Sequence, residues 1–105
     1  MKSEFSPHIA FQVKDYDKAK VFYEKVLGME IITSSEKETH FKKGEMNFYM
    51  ENSDQGNTFF EFKVEDVYDA KVELENDGCK VTQIYSDKSI MIADPYGMKF
   101  HIWED

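Results

Sequence analysis

The chain has 105 residues, of which 41% are hydrophobic and 15% aromatic, so its composition is that of one folded domain over residues 1–105. It carries 13 Lys and Arg against 21 Asp and Glu, which gives a formal net charge of −8. A net negative chain argues against nucleic acid and anionic membranes as partners, because like charges repel. This charge is compatible with a neutral or cationic small molecule as ligand, or with a role in solubility alone.

The first half of the chain predicts a strand, a helix and three short strands. Apolar residues alternate over residues 9–13, with the period of a half-buried strand. Asp15 is a good helix N-cap, and the apolar spacing indicates a helix over about residues 16–27 that ends at Gly28. The following strands are predicted at residues 29–33, 39–43 and 45–50.

The second half predicts the same elements in the same order. Apolar residues alternate at Phe60, Phe62 and Val64, and Asp66 is the N-cap of a helix over about residues 67–76. After a glycine at position 78, strands are predicted at residues 79–85, 89–93 and 98–103.

The two halves match with a period of about 51 residues, which indicates an internal duplication. Val13-Lys14-Asp15 corresponds to Val64-Glu65-Asp66, and Gly44 is aligned with Gly97. We predict an α+β fold of two tandem βαβββ modules, at about residues 5–51 and 57–105. They would form one curled, mostly antiparallel sheet with the helices on its outer face. The alternative is two unrelated strand-helix-strand units.

Alternation divides each predicted strand between a helix-covered face and an open face that is available to a ligand. The open face is predicted to hold imidazole, aromatic and polar side chains: His8, Gln12, Phe48, Phe59, Glu61, His101 and Trp103. The duplication pairs His8 with Phe59, and Phe48 with His101. His40 is assigned to the surface, because its neighbour Phe41 alternates differently.

Four segments carry a resemblance that spans nearly the whole chain: His8-Ile-Ala-Phe-Gln-Val-Lys-Asp, Ala19-Lys-Val-Phe-Tyr-Glu-Lys-Val-Leu-Gly-Met, Phe62-Lys-Val-Glu-Asp-Val and Asp94-Pro-Tyr-Gly-Met-Lys-Phe-His-Ile-Trp-Glu. In combination they resemble the vicinal oxygen chelate superfamily. That superfamily includes glyoxalase I, extradiol dioxygenases and bleomycin resistance proteins. The resemblance implies the fold described above, and by analogy it implies a homodimer.

In the metal-using members of this family, each module supplies one metal ligand from its first strand and one from its last. The resemblance places His8, Phe48, Phe59 and His101 at these positions, and the two phenyl rings cannot bind metal. A catalytic divalent ion generally needs three protein ligands. No cofactor is therefore firmly predicted. A set of His8, His101 and Glu61 that holds Zn, Ni, Mn or Fe is the alternative.

These observations favour a small-molecule-binding protein of the glyoxalase and bleomycin resistance type, with a degraded metal site. Its predicted ligand-binding residues are Gln12, Phe48, Phe59, Glu61 and Trp103, and its ligand is expected to be cationic or aromatic. The alternative is a metal-dependent lyase, isomerase or dioxygenase that uses His8 and His101. A third hypothesis is an interaction or regulatory subunit. Catalytic residues are not assigned.

The lone Cys79 excludes an internal disulfide and a Cys-rich zinc site. We expect it to be a buried structural thiol. Residues 1–11 lack the apolar core of a signal peptide, and no apolar run approaches the roughly 20 residues that span a bilayer. A cytoplasmic protein without a membrane span is therefore expected.

Overall fold

The computed structural model describes residues 1–105 as two units, each with its own hydrophobic core. The first module is Pro7–Thr58, and the second module is Phe59–Asp105 together with Met1–Ser6. Each module has the strand, helix and three-strand order that the sequence predicts. The predicted α+β class, with two tandem βαβββ modules, is confirmed.

The chain begins with β1 (Ser3–Phe5), which belongs to the second module, and then enters the first module. The first module contains β2 (His8–Val13), α1 (Tyr16–Val21), a π-helical segment (Phe22–Val26), β3 (Glu30–Ser34), β4 (Glu38–Lys43) and β5 (Met46–Asn52). Its strand order is β3-β4-β5-β2. The β2–β5 pair is parallel and the other pairs are antiparallel.

The second module repeats this arrangement. It contains β6 (Thr58–Val64), α2 (Val67–Asn76), β7 (Lys80–Ser86), β8 (Ser89–Ala93) and β9 (Lys99–Trp103). Its strand order is β7-β8-β9-β6, and β1 pairs with the other side of β6. The β6–β9 pair is parallel, as β2–β5 is in the first module, and the remaining pairs are antiparallel.

The N-terminal strand β1 is an element that the sequence does not predict. It is only three residues long and all three are exposed, so no alternation marks it. Its place is set by pairing with residues 62–64 of β6. The ring of Phe5 also packs against Phe60 and Phe62, with ring centroids 6.5 and 5.6 Å away.

The first helix differs from its prediction, because its α-helical part ends at Val21 and the next five residues are π-helical. The amide of Leu27 donates to the carbonyl of Phe22, five residues back, and Gly28 then ends the helix with a φ of +71°. Asp15 occupies the N-cap position of α1, as predicted, but its side chain makes no capping hydrogen bond. Asp66 does cap α2, since its carboxylate accepts from the amide of Asp69 at 2.8 Å.

Each helix packs on one face of its own module's sheet. The buried core of the first module consists of Tyr16, Met29, Phe41 and Met50. The buried core of the second module consists of Val64, Val67, Ala70, Ile90, Ile92, Phe100 and Ile102. Cys79 is half-buried and not fully buried as expected. It packs against the second core, and this partial burial, with Asp94 and Asp77 nearby, raises the pKa of its thiol. Neither helix has the length and apolar character needed to cross a membrane.

Candidate functional site

The sheet of the second module has a helix-free face, which lies opposite α2. Because alternate residues of β6 and β9 pack with α2 in the core, the residues between them point to the other side. Glu61, His101 and Trp103 lie on this helix-free face, as the sequence predicts, and Lys63 lies there with them. The parallel register sets Glu61 beside His101 and Lys63 beside Trp103.

A chain of three polar side chains crosses this face from β6 to β8. The carboxylate Oε1 of Glu61 lies 3.0 Å from Nδ1 of His101, and Nε2 of His101 lies 2.5 Å from Oγ of Ser89. The side chains of His101 and Glu61 are only 24% and 20% exposed. The ring of Tyr85 on β7 and the imidazole form a T-shaped pair, with centroids 5.7 Å apart. Both nitrogens of His101 are therefore held by protein groups.

Trp103 forms a second feature of the same face. The ammonium of Lys63 lies 5.3 Å from the centroid of the indole ring, which is cation–π distance. The indole N–H donates to Oγ of the buried Ser6 at 3.1 Å. Lys63 also donates to the carboxylate of Asp105 at 2.7 Å, and this hydrogen bond raises the pKa of Lys63. The ring of Trp103 is thus fixed at one end and carries a cation at its face.

The helix-free face of the first module is built from stacked rings. The rings of His40 and Tyr49 are stacked with centroids 4.5 Å apart, and Nε2 of His40 donates to Oδ1 of Asn47 at 2.8 Å. The hydroxyl of Tyr49 lies 3.4 Å from Nδ1 of His8. No contact between a carboxylate and an imidazole is seen in this cluster.

The model of the Glyoxalase/Bleomycin resistance protein/Dioxygenase superfamily matches residues 6–102, which is nearly the whole chain. The chain belongs to this superfamily. No curated protein is significantly similar to it in sequence.

Solved structures of the glyoxalase superfamily share this fold. A superfamily member from Vibrio splendidus 12B01 is 14% identical with a TM-score of 0.71, and the match covers 99% of this chain and 100% of that chain. The Mn(II)-bound glyoxalase from Novosphingobium aromaticivorans is 20% identical with a TM-score of 0.73 and coverages of 97% and 38%. Homoprotocatechuate 2,3-dioxygenase from Brevibacterium fuscum is 17% identical with a TM-score of 0.72 and coverages of 93% and 35%. At these identities the likeness concerns the fold alone.

The expectation that Phe48 lies on the ligand face is wrong. Phe48 packs against the first core, and its ring lies edge-on to Phe11 with centroids 6.4 Å apart. The register pairs Ala10 with Tyr49 in the first module, just as it pairs Glu61 with His101 in the second. Tyr49, not Phe48, is therefore the structural counterpart of His101.

Several residues of the two helix-free faces are not predicted from the sequence. His40 is stacked and hydrogen-bonded within the first module's cluster, so its assignment as a plain surface residue is wrong. Ser89 was also missed, although the strand alternation contained the signal. Ile90 and Ile92 are core residues, so Ser89 and Met91 must point to the helix-free face.

The remaining predicted ligand residues have different surroundings. The amide of Gln12 is used within the first module, since it donates to Glu51 and accepts from the backbone of Asn57, each at 3.1 Å. The hydrogen bond with Asn57 connects β2 to the loop that precedes β6. Phe59 is half-buried on β6 and pairs with Lys99.

The donor chemistry does not fit the metal that many glyoxalase-superfamily members hold. Phe59 offers no donor atom, and Glu61 and Ser89 already occupy the two nitrogens of His101. Within neither module do three or more His, Cys, Asp or Glu side chains form a group that could hold a metal ion. A catalytic divalent ion generally requires three such ligands.

Proposed function

We propose that this protein binds a small organic cation on the helix-free face of its second module. It would be a small-molecule-binding protein of the glyoxalase and bleomycin resistance type, without a firmly held metal. The observation that carries the proposal is the cation–π contact of Lys63 with Trp103. A ring that already holds a protein cation has the orientation and surroundings to hold a ligand cation.

The ammonium of Lys63 would be displaced from the Trp103 ring by such a ligand at little cost. Its partner Asp105 is 80% exposed, and solvent-exposed ion pairs contribute little to stability. A flat cation would replace the ammonium of Lys63 over the indole and would bring a larger ring area into contact. Lys63 would then remain near Asp105 or turn to solvent.

The charges around Trp103 support a cationic ligand. Asp105 lies beside Lys63, and Glu61 lies two residues from Lys63 on the same strand face. The net charge of −8 also favours the approach of cations over long distances. The same negative charges would repel an anionic ligand.

The test is a titration of tryptophan fluorescence, because Trp103 is the only tryptophan. N-methylquinolinium is the cationic probe, and quinoline, which is uncharged at neutral pH, has nearly the same shape. We expect saturable quenching by both, with roughly 2- to 30-fold tighter binding of the cation, as a cation–π contact predicts. Equal affinities, or no quenching by either compound, would overturn the proposal.

Two lysine variants separate displacement of Lys63 from a general charge effect. Lys63→Ala removes the competing ammonium, so N-methylquinolinium should bind more tightly. Lys18→Ala removes the same charge from the first module and serves as the matched control, with affinity nearly unchanged. If both variants change the affinity equally, only the overall charge matters.

The metal-dependent lyase, isomerase or dioxygenase is the other hypothesis from the sequence, with His8 and His101 as ligands. It would require Glu61 or Ser89 to release a nitrogen of His101. Elemental analysis of tag-free protein, followed by calorimetric titration with Ni²⁺, Zn²⁺, Mn²⁺ and anaerobic Fe²⁺, tests it directly. A Kd below about 1 μM (roughly −8 kcal/mol) that is lost in His8→Ala would move this hypothesis to first place.

We also propose a cytoplasmic homodimer. The end of the first helix exposes four large apolar side chains, and such surfaces commonly mark contacts between proteins. They are Val21, Phe22, Val26 and Leu27. The free thiol of Cys79 is compatible with a reducing compartment. Sedimentation of the wild type and of Val26→Glu tests the dimer, since a charge at the contact should yield monomers.

A further inference from the structure

The three polar side chains that cross the second module stand in the order of a hydrolytic triad. A hydroxyl contacts one nitrogen of an imidazole, and a carboxylate contacts the other nitrogen. We propose that Ser89 is a nucleophile, His101 its general base and Glu61 the residue that positions His101. The proposed activity is hydrolysis of esters and thioesters of small organic cations.

The hydrogen-bonding groups define the tautomer that this chemistry needs. A carboxylate only accepts hydrogen bonds, so Glu61 fixes the imidazole proton of a neutral His101 on Nδ1. Nε2 is then free to accept the hydroxyl proton of Ser89 across 2.5 Å. A nucleophile, a base and an orienting group within hydrogen-bond reach of one another are the geometric signature of an activated serine.

The three residues are mounted on paired strands and not on flexible loops. Glu61 and His101 are direct register partners in β6 and β9, and β8 pairs with β9 on the other side. Regular strands hold side chains more precisely than loops do. The T-shaped contact with the ring of Tyr85 further limits rotation of the imidazole. The site therefore needs no large rearrangement before it reacts.

The reaction balances without any further reagent except water. Oγ of Ser89 attacks the acyl carbon while Nε2 of His101 takes the hydroxyl proton. The bond from the acyl carbon to the alcohol or thiol leaving group then breaks, and Nε2 returns the proton to that group. Water repeats the sequence on acyl-Ser89, with His101 as base, and releases the carboxylic acid.

The substrate class follows from the residue next to Ser89. Ser89 and Trp103 are cross-strand partners, so their Cβ atoms lie about 5 Å apart. A substrate whose cation sits on Trp103 and whose ester carbonyl is a few bonds away therefore reaches Oγ of Ser89. The preference for a cation rests on the ligand site proposed above, whereas the triad itself does not.

The first experiment labels the whole protein with a biotinylated fluorophosphonate and locates the adduct by mass spectrometry. We expect an adduct on Ser89 that is absent in Ser89→Ala and unchanged in Ser3→Ala, the matched control. His101→Gln should slow labelling by about 10²–10⁴-fold. If wild-type Ser89 is not labelled, or if Ser3 is labelled as fast, the triad is wrong.

The test of Glu61 must distinguish a role in positioning His101 from a role in folding alone. Glu61→Gln should slow labelling by roughly 10²-fold or more, because an amide can present either a donor or an acceptor to Nδ1. Glu61→Asp keeps the charge and should recover part of the rate. Circular dichroism melts show whether each variant is folded at the assay temperature. Folded Glu61→Gln that is labelled at the wild-type rate would contradict the assignment.

The second experiment separates this proposal from the proposed ligand site. Acetylthiocholine is compared with its neutral isostere S-(3,3-dimethylbutyl) thioacetate, and acetylation of Ser89 and thiol release are followed. Faster reaction of the cationic thioester supports both the triad and the cation site. Equal rates support the triad and overturn its cation preference. If N-methylquinolinium binds but neither thioester acetylates Ser89, the triad fails and the ligand site stands.

Discussion

The two modules share one frame but carry different chemistry at matched positions. The register that pairs Ala10 with Tyr49 in the first module pairs Glu61 with His101 in the second. The first module therefore presents stacked rings, whereas the second presents an imidazole held by a carboxylate. Equivalent register positions bring side chains together in both modules. In the second module the residue beside the imidazole is a carboxylate, and this difference gives the two faces different chemistry.

The cores differ in the same way at matched positions. In the first core the hydroxyl of Tyr16 lies 2.6 Å from that of Thr39, which is fully buried. The equivalent pair in the second core is Val67 and Ile90, which are both apolar. The first module thus carries a buried polar pair that must stay satisfied, and the second does not.

The largest expected effect comes from opening a cavity in either core. Met50→Ala in the first module and Ile92→Ala in the second both truncate side chains with no exposed surface. Each should lower the free energy of unfolding by about 2–5 kcal/mol, measured by urea denaturation. A loss below about 1 kcal/mol for one variant alone would show that its module contributes little to the measured unfolding.

A smaller effect is expected from the polar pair of the first core. Tyr16→Phe leaves the hydroxyl of Thr39 without this partner and should cost about 1–3 kcal/mol. The double variant Tyr16→Phe, Thr39→Val removes both hydroxyls and should cost less than the sum of the single variants. Strict additivity in this cycle, again by urea denaturation, would mean that the two hydroxyls do not interact.

The helix caps offer a matched pair of mutations at equivalent positions. Asp66→Ala removes a side-chain cap and should cost about 0.5–2 kcal/mol, whereas Asp15→Ala removes no cap bond and should cost far less. Thermal or urea unfolding measures both. Equal losses would show that Asp15 caps α1 in solution.

The smallest expected effect is that of Cys79 on the stability of the protein at alkaline pH. Burial raises the pKa of its thiol above the ordinary 9.0. A raised pKa gives a stability contribution that is present below the unfolded pKa and is lost as the pH rises through the folded pKa. Stability should therefore fall more steeply above about pH 9 in the wild type than in Cys79→Ala. Identical pH profiles of unfolding would contradict this, and so would rapid reaction of native Cys79 with a thiol reagent at pH 8.

Much of the fold was predictable because it depends on local patterns. The helix over residues 67–76 and the strand over residues 89–93 have the predicted bounds, since a cap, a glycine stop and clean alternation mark them. The π-helical segment over residues 22–26 was not predictable, because its apolar spacing is also that of an ordinary α-helix. The strand β1 depends on a partner far away in sequence, so no local pattern reveals it.

The candidate site was predictable only in part. Alternation alone places Glu61, His101 and Trp103 on one face of their strands. The error at Phe48 arose from aligning Gly44 with Gly97. The connection before β9 is longer than the one before β5, so that alignment shifts the strand by one residue. The contact of Ser89 with His101 is diagonal across the β8–β9 pair, so it depends on the exact register and rotamers.

The most direct test of the central claim is to locate ligand binding on one module or the other. Backbone amide resonances of the ¹⁵N-labelled protein are followed by NMR during titration with N-methylquinolinium. We expect saturable shifts concentrated at residues 61–63, 89 and 101–103, with residues 8, 40 and 49 nearly unchanged. Shifts centred on His8, His40 and Tyr49, or no saturable shifts, would contradict the claim that the second module carries the binding site.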